Sequence, residues 1–279
     1  MIQNLDFGYK SNLCRCSPEH SLIAEEPALF YWHDGAINFG DFLSRVIVER
    51  IVGKPLRYYV KKTLGQKKKL LAIGSILYFA NTGDIVWGSG INGKTLDKKF
   101  YGFAHLDIRA VRGPLTRNFL MEQLRIPCPE IYGDPALLFP YLFPEFKKKE
   151  NPAIDYLIIP HYTDEKYFPK SEYENVVYTS DPWNNVVKKI LDSKFVISSS
   201  LHGIVIAESF GIPARLLRVS NSPHNQFFKF EDYYLGTNRP HFQFASSIEE
   251  ALQMQGEIPF ECDLQKLYNA FPKELFESG

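Results

Sequence analysis

Residues 194–219 read KFVISSSLHGIVIAESFGIPARLLRV, and the residue types fall in the order of a strand, a helix and a second strand. Phe195, Val196 and Ile197 make an apolar run that ends in the three hydroxyls of Ser198, Ser199 and Ser200. A helical pattern starts at once, over 200–210, and Gly211 stops it. The next apolar run, 214–219, predicts another strand. Two strands joined through a helix pair in parallel, so the unit predicts an α/β fold. The start of its helix also presents unpaired backbone N–H groups, which favour an anion. Hydroxyls and Gly203 would let phosphate or carboxylate oxygens come close, and His202 stands where it could move a proton. A serine cap and a histidine satisfied by a backbone carbonyl would account for the same residues, and the stretch alone does not choose.

The same alternation extends outward on both sides. Upstream, strands are predicted at 28–32, 56–60, 70–73 and 84–87. A helix is predicted over 41–52, with Phe42, Val46, Val48 and Ile51 facing inward, and another over 113–124 with Pro114 in its first turn. Residues 144–153, PEFKKKENPA, carry two prolines, a lysine run and no periodicity, which makes them the best linker in the chain. Beyond it, strands are predicted at 156–159 and 176–178 and a helix at 182–191. Ser247-x-x-Glu250 reads as a capping box, and Asp263 caps a last helix whose Leu264, Leu267, Tyr268 and Phe271 share one face. The expected architecture is two Rossmann-like halves, 1–148 and 149–279, facing a cleft beyond the carboxyl ends of their strands.

Composition narrows the function. Among 279 residues, 32 Lys and Arg balance 32 Asp and Glu, which argues against a chain that lives on nucleic-acid phosphates. Hydrophobic residues at 45% exclude a disordered chain. Cys14, Cys16, Cys128 and Cys262 are too few and scattered for a disulfide framework, and Cys14-x-Cys16 has no partner pair at zinc spacing, so no metal site is expected. With no signal-peptide run and no span of about 18 apolar residues, the expectation is a cytoplasmic protein. The cluster Lys61, Lys62, Lys67, Lys68 and Lys69 reads as a solvated turn or as a peripheral contact with the inner face of a membrane.

Several motifs then fall in one order: Asn38-Phe39-Gly40-Asp41, Trp87-Gly88-Ser89-Gly90, Val111-Arg112-Gly113-Pro114-Leu115-Thr116, Gly133-Asp134-Pro135-Ala136, Pro160-His161-Tyr162, Ser199-Ser200-Leu201-His202-Gly203 with Gly211-Ile212-Pro213, and Lys229-Phe230-x-Asp232-Tyr233. Together, over about residues 30–235, they resemble the polysaccharide pyruvyl transferase family. The resemblance implies a fold like that of GT-B glycosyltransferases and phosphoenolpyruvate as co-substrate, with no other cofactor. It implies transfer of the pyruvyl group onto two hydroxyls of a sugar as a cyclic ketal, in surface polysaccharide biosynthesis, on a lipid-linked acceptor. By resemblance, His202 is the proton-transfer residue. Arg112, Ser198, Ser199, Ser200, Gly203, His161 and Lys229 are expected at the donor, in the second half. Asn38 and Asp41 are expected at the acceptor, in the first, although either could simply cap its helix. Asp134 is expected to fix a turn.

One departure stands out: many members carry Arg immediately before Leu-His-Gly, where this chain has Ser200. Either another cation, Lys229 or Arg218, takes over, or the donor pocket is rearranged. Two rivals therefore remain: a GT-B glycosyltransferase using a nucleotide sugar, against which no Glu is placed to hold a ribose, and a non-catalytic member of the family.

Overall fold

Short apolar runs bounded by turns form strands of two to four residues, joined by helices and single 3-10 turns. The structure is a computed structural model that describes residues 26–33, 38–59, 68–219 and 227–277. In chain order the elements are β1 (Ala28–Phe30), α1 (Phe39–Val52), β2 (Tyr58–Tyr59), β3 (Lys69–Leu71), β4 (Ile85–Trp87), β5 (Asp107–Ala110), α2 (Pro114–Asn118) and α3 (Phe139–Leu142). There follow β6 (Leu157–Ile159), α4 (Trp183–Leu191), β7 (Val196–Ser198), α5 (Leu201–Ser209), β8 (Ala214–Leu217), α6 (Phe228–Gly236), β9 (Phe244–Ala245), α7 (Ile248–Met254) and α8 (Leu264–Asn269).

The strands form two sheets, ordered β2-β1-β3-β4-β5 and β6-β7-β8-β9, and every strand pairing among the described residues is parallel. Mixed α/β architecture on parallel sheets is thus as expected. The order 2-1-3-4-5 is a doubly wound one, whose direction switches between β1 and β3; ligands of such sheets collect outside the carboxyl ends near that switch. One buried apolar cluster includes Leu29 and Leu70 of the first sheet, Leu157 and Val196 of the second, and side chains of α1, α4 and α5.

Several local expectations are corrected. Helix α1 starts earlier than predicted, because Asn38 Oδ1 accepts from Gly40 N and caps it. Its inward stripe is Phe39, Leu43, Ile47 and Val48, whereas Phe42, Val46 and Ile51 lie on its half-buried flanks. The helix predicted over 113–124 is α-helical only to Asn118 and then widens into π-type turns over Phe119–Gln123. The strand predicted at 176–178 is a single bridge between Ile158 and Val176. Strands β5 and β9 and helix α6 were not anticipated. The caps predicted for α7 and α8 are present: Ser247 accepts from Glu250 N, and Asp263 from Lys266 N.

Of the basic cluster, Lys61, Lys62 and Lys67 lie outside the described residues, as do Cys14 and Cys16. Lys69 is no surface charge: it is 3% exposed, with Nζ 2.9 Å from Asp84 and 3.2 Å from the Phe79 carbonyl. A buried ammonium needs such partners, and this one is unavailable to a membrane. No helix among the described residues is long and apolar enough to cross a membrane.

Candidate functional site

Where β5 ends, Arg112 turns inward and α2 begins at Pro114 with no cap from its own Gly113. The missing cap comes from α6. Asp232 Oδ1 accepts from Thr116 N at 2.9 Å; its Oδ2 accepts from Thr116 Oγ1 at 2.7 Å and from Arg112 Nε at 3.0 Å. Arg112 Nη1 donates to Ser75 Oγ and Nη2 to the Ile91 carbonyl, at 2.6 and 2.9 Å. With Arg112 1% exposed and Asp232 fully buried, the guanidinium expected at the donor is matched instead by a carboxylate of the chain itself. Arg112 is held as part of the wall.

The head of α5 divides its expected ligands into two groups. Ser198 Oγ lies 2.7 Å from the Ile159 carbonyl and 2.8 Å from that of Ser200, and accepts from Ser200 N. It is fully buried and stitches β7 to β6 and to the helix start. Gly203 packs directly on Ser198 Oγ and Ile159, where a Cβ would overlap, so its glycine serves packing. Neither fits the donor-contact role expected of it. Ser199 accepts from His161 N and donates to Asp164 Oδ2, both at the end of β6. Ser200 caps α5 with its backbone alone, and its hydroxyl makes no cap hydrogen bond.

His202, 8% exposed, rests its ring on Gly40 of α1, so closely that a Cβ there would overlap it. Its Nε2 faces Asp134 Oδ2 at 3.4 Å. Alignment is too poor for a hydrogen bond, and both atoms are buried without a hydrogen-bond partner among the described residues. The other Asp134 oxygen accepts from Ala136 N, the turn that the sequence predicts. Orphaned buried polar atoms of this kind are uncommon, and a facing pair of them marks a place where a proton or a ligand completes the arrangement.

Asp41, in the first turn of α1, has its pKa pushed up to about 6 by burial; the charges of His202 and Lys229 oppose the rise and Asp134 adds to it. Lys229, in the first turn of α6, is lowered to about 8 by burial and by Arg112, against the pull of Asp41 and Asp164. Lys229 is half-buried, and no ion pair or hydrogen bond holds its ammonium among the described residues. His161 is depressed to about 3, first by burial and then by the positive charges of Lys229, Lys94 and His202, so it is neutral near pH 7. Its Nδ1 lies 2.8 Å from Thr163 Oγ1.

His202, Asp41, Lys229 and His161, which the sequence singled out, thus come within one another's electrostatic reach, with Ser199 and Ser200 alongside. Asp134 was expected only to fix a turn. Asp164, Lys94 and Tyr78 were not anticipated, and they carry no motif that could have shown them. Asn38 is the α1 cap. Arg218, the other candidate cation, has its guanidinium 5.5 Å from the Phe227 ring centroid and 5.6 Å from that of Phe244. Glu208 accepts from both Nη atoms of Arg239 and from the Tyr233 hydroxyl, leaving no carboxylate on α5 for a ribose. A shallow dent lined by Ile131, Asp263, Lys266 and Asn269 contains none of these groups.

The succinoglycan biosynthesis protein ExoV of Rhizobium meliloti is 28% identical over 218 residues, which cover 73% of this chain and 63% of ExoV, so the chain spans just under two thirds of that relative. An uncharacterised protein, L143, of Acanthamoeba polyphaga mimivirus is 29% identical over 205 residues, covering 71% of this chain and 70% of the relative. Among solved structures, an uncharacterised Klebsiella pneumoniae protein superimposes with a TM-score of 0.43 at 13% identity, over 80% of this chain and 94% of its own. The sequence profile of polysaccharide pyruvyl transferases matches residues 38–221, well over half of the length, and the chain belongs to that family.

Proposed function

We propose that this protein transfers the pyruvyl group of phosphoenolpyruvate onto two hydroxyls of a saccharide as a cyclic ketal and releases inorganic phosphate. The observation that carries the reading is the orphaned, buried pair of His202 Nε2 and Asp134 Oδ2 beside a cation, Lys229, that nothing among the described residues neutralises by contact. Family membership supports the reaction class, and the roles given below to single residues are part of the proposal.

In the proposed sequence, Lys229 and the hydroxyl of Ser200, which makes no cap hydrogen bond, receive the charged donor, while Ser199 stays tied to His161 N and Asp164. Protonated His202, its imidazolium stabilised by Asp134, gives its proton to the methylene carbon of the enol. The neighbouring carbon takes on oxocarbenium character and one sugar hydroxyl adds to it. That hydroxyl's proton passes to Asp41, whose raised pKa suits a base working near neutrality. The bond from carbon to the phosphate oxygen then breaks. The second hydroxyl closes the ketal as its proton leaves with phosphate, and His202 is recharged from Asp41. His161, neutral, offers a hydrogen bond without adding charge. Phosphoenolpyruvate is a co-substrate, and no cofactor enters the proposed steps. The residues before 149 would carry the acceptor and those after it the donor. A lipid-linked acceptor at the cytoplasmic membrane face is part of the proposal and follows from the family alone.

Thermal unfolding with phosphoenolpyruvate, against a panel of nucleotide sugars, tests the reading. At a hundred times its dissociation constant a ligand adds about 2.7 kcal/mol, which should raise the midpoint by on the order of 5 °C. Stabilisation by a nucleotide sugar, and none by phosphoenolpyruvate, would replace pyruvyl transfer with glycosyl transfer. With an acceptor in hand, His202→Asn is expected to keep the phosphoenolpyruvate shift and to lose phosphate release by about 10²–10⁴-fold.

A further inference from the structure

We infer that Lys94 is the second cation of the donor site and that, with Lys229, it holds the two anionic groups of phosphoenolpyruvate, one on each ammonium; the inference rests on the transferase reading above. The donor carries a phosphate and a carboxylate, and a single ammonium matches only part of that charge. The residue before Leu201-His202-Gly203 is the neutral Ser200. Arg112 is matched by Asp232, and Arg218 stacks on Phe227 and Phe244. Lys94 is exposed, and its ammonium, like that of Lys229, has no ion pair or hydrogen bond among the described residues.

Arg112 is the joint that brings the two lysines together. Its Nη2 donates to the Ile91 carbonyl at 2.9 Å and its Nε to Asp232 at 3.0 Å. Lys94 stands three positions after Ile91, and Lys229 three positions before Asp232, close to one turn away on α6. Gly90 admits the guanidinium, because a Cβ there would overlap it. Beyond Ile91 the chain makes a single 3-10 turn, Gly93–Thr95, capped by Asn92 Oδ1, which accepts from Lys94 N at 3.0 Å. Thr95 Oγ1 donates to the Asn92 carbonyl at 2.9 Å and lies 3.1 Å from the Tyr101 hydroxyl. The backbone at Lys94 is thereby fixed while its side chain stays free. Electrostatics agree with the placement: Lys94 is among the positive charges that depress both Lys229 and His161. Cations that repel one another with no carboxylate in contact form a concentrated positive field, and an anion between them relieves the repulsion. Lys94 follows β4 of the first sheet and Lys229 follows β8 of the second, so one bound donor ties the loops of the two sheets together.

Calorimetric titration with phosphoenolpyruvate and with inorganic phosphate tests the pair. Lys94→Gln should weaken phosphoenolpyruvate by about tenfold, as the loss of one charge-assisted hydrogen bond would, and Lys94→Arg should keep most of the affinity. Because the side chain is exposed, the unfolding midpoint of Lys94→Gln without ligand should match that of the unaltered protein. Lys99→Gln is the control from the same loop: its ammonium pairs with Asp97 at 2.9 Å, and its loss should leave the affinity as it was. Inorganic phosphate has a single anionic group and should respond to only one of Lys94→Gln and Lys229→Gln, whereas phosphoenolpyruvate should respond to both. The inference is overturned if Lys94→Gln binds phosphoenolpyruvate as the unaltered protein does, or if Lys99→Gln weakens it as much. It is also overturned if both variants weaken inorganic phosphate equally, the mark of a diffuse field. A failure confined to Lys94 leaves the transferase reading standing; no binding of phosphoenolpyruvate by the unaltered protein would remove that reading and the lysine pair with it.

Discussion

At the scale of single residues, what separates a site group from a scaffold group here is whether its charge is already matched. Arg112 and Lys229 are cations within electrostatic reach of each other, yet Arg112 has Asp232 at 3.0 Å while Lys229 has no ion pair among the described residues. The consequence is a pH dependence. Lys229 loses its proton near pH 8, so affinity for phosphoenolpyruvate should fall as pH rises through about 8; in Lys229→Arg, always protonated, calorimetric affinity should stay level across the same window. A decline of equal size in the Arg variant would remove Lys229 from the proposed donor site. The same groups act on stability with opposite signs. Asp41, raised from 3.8 to about 6, binds more protons folded than unfolded, so its contribution declines as pH rises from about 4 to about 6. Lys229, lowered from 10.5 to about 8, releases protons on folding above pH 8, and its contribution grows from there to about 10.5.

Between elements, the decisive contact is that of α6 with the start of α2. Asp232 both caps α2 and neutralises Arg112, which explains why two motifs 120 positions apart accompany each other. Removing one partner of a buried pair leaves an uncompensated charge. Asp232→Asn should therefore cost about 3–5 kcal/mol in denaturant unfolding. A loss below about 1 kcal/mol would show that water or another carboxylate takes over. Lys229 lies in the first turn of the same helix, so the contact that anchors α6 also positions its ammonium. Residue periodicity could not show this: α6 has apolar and polar residues on every side, and its neighbour determines which face is buried.

For the whole molecule, one apolar cluster passes through both sheets by way of α1, α4 and α5, and the candidate site lies at the carboxyl ends of the strands around it. Calorimetry should therefore give a single unfolding transition with matching calorimetric and van't Hoff enthalpies; two resolved transitions would mean that each half is stable on its own. The sequence by itself determined the α/β class, the parallel pairing, the caps of the last helices and the family, because those follow from local patterns: apolar runs, turn residues and ordered motifs. It also placed His202, Asp41, Lys229 and His161 among the candidates. Only the tertiary structure decided that Asp134 faces His202, that Ser198, Gly203 and Arg112 are engaged by the chain's own groups, and that Lys69 is buried. Charge pairing and desolvation depend on which groups meet through space, and here Arg112 and Asp232 meet from positions 120 apart in the chain.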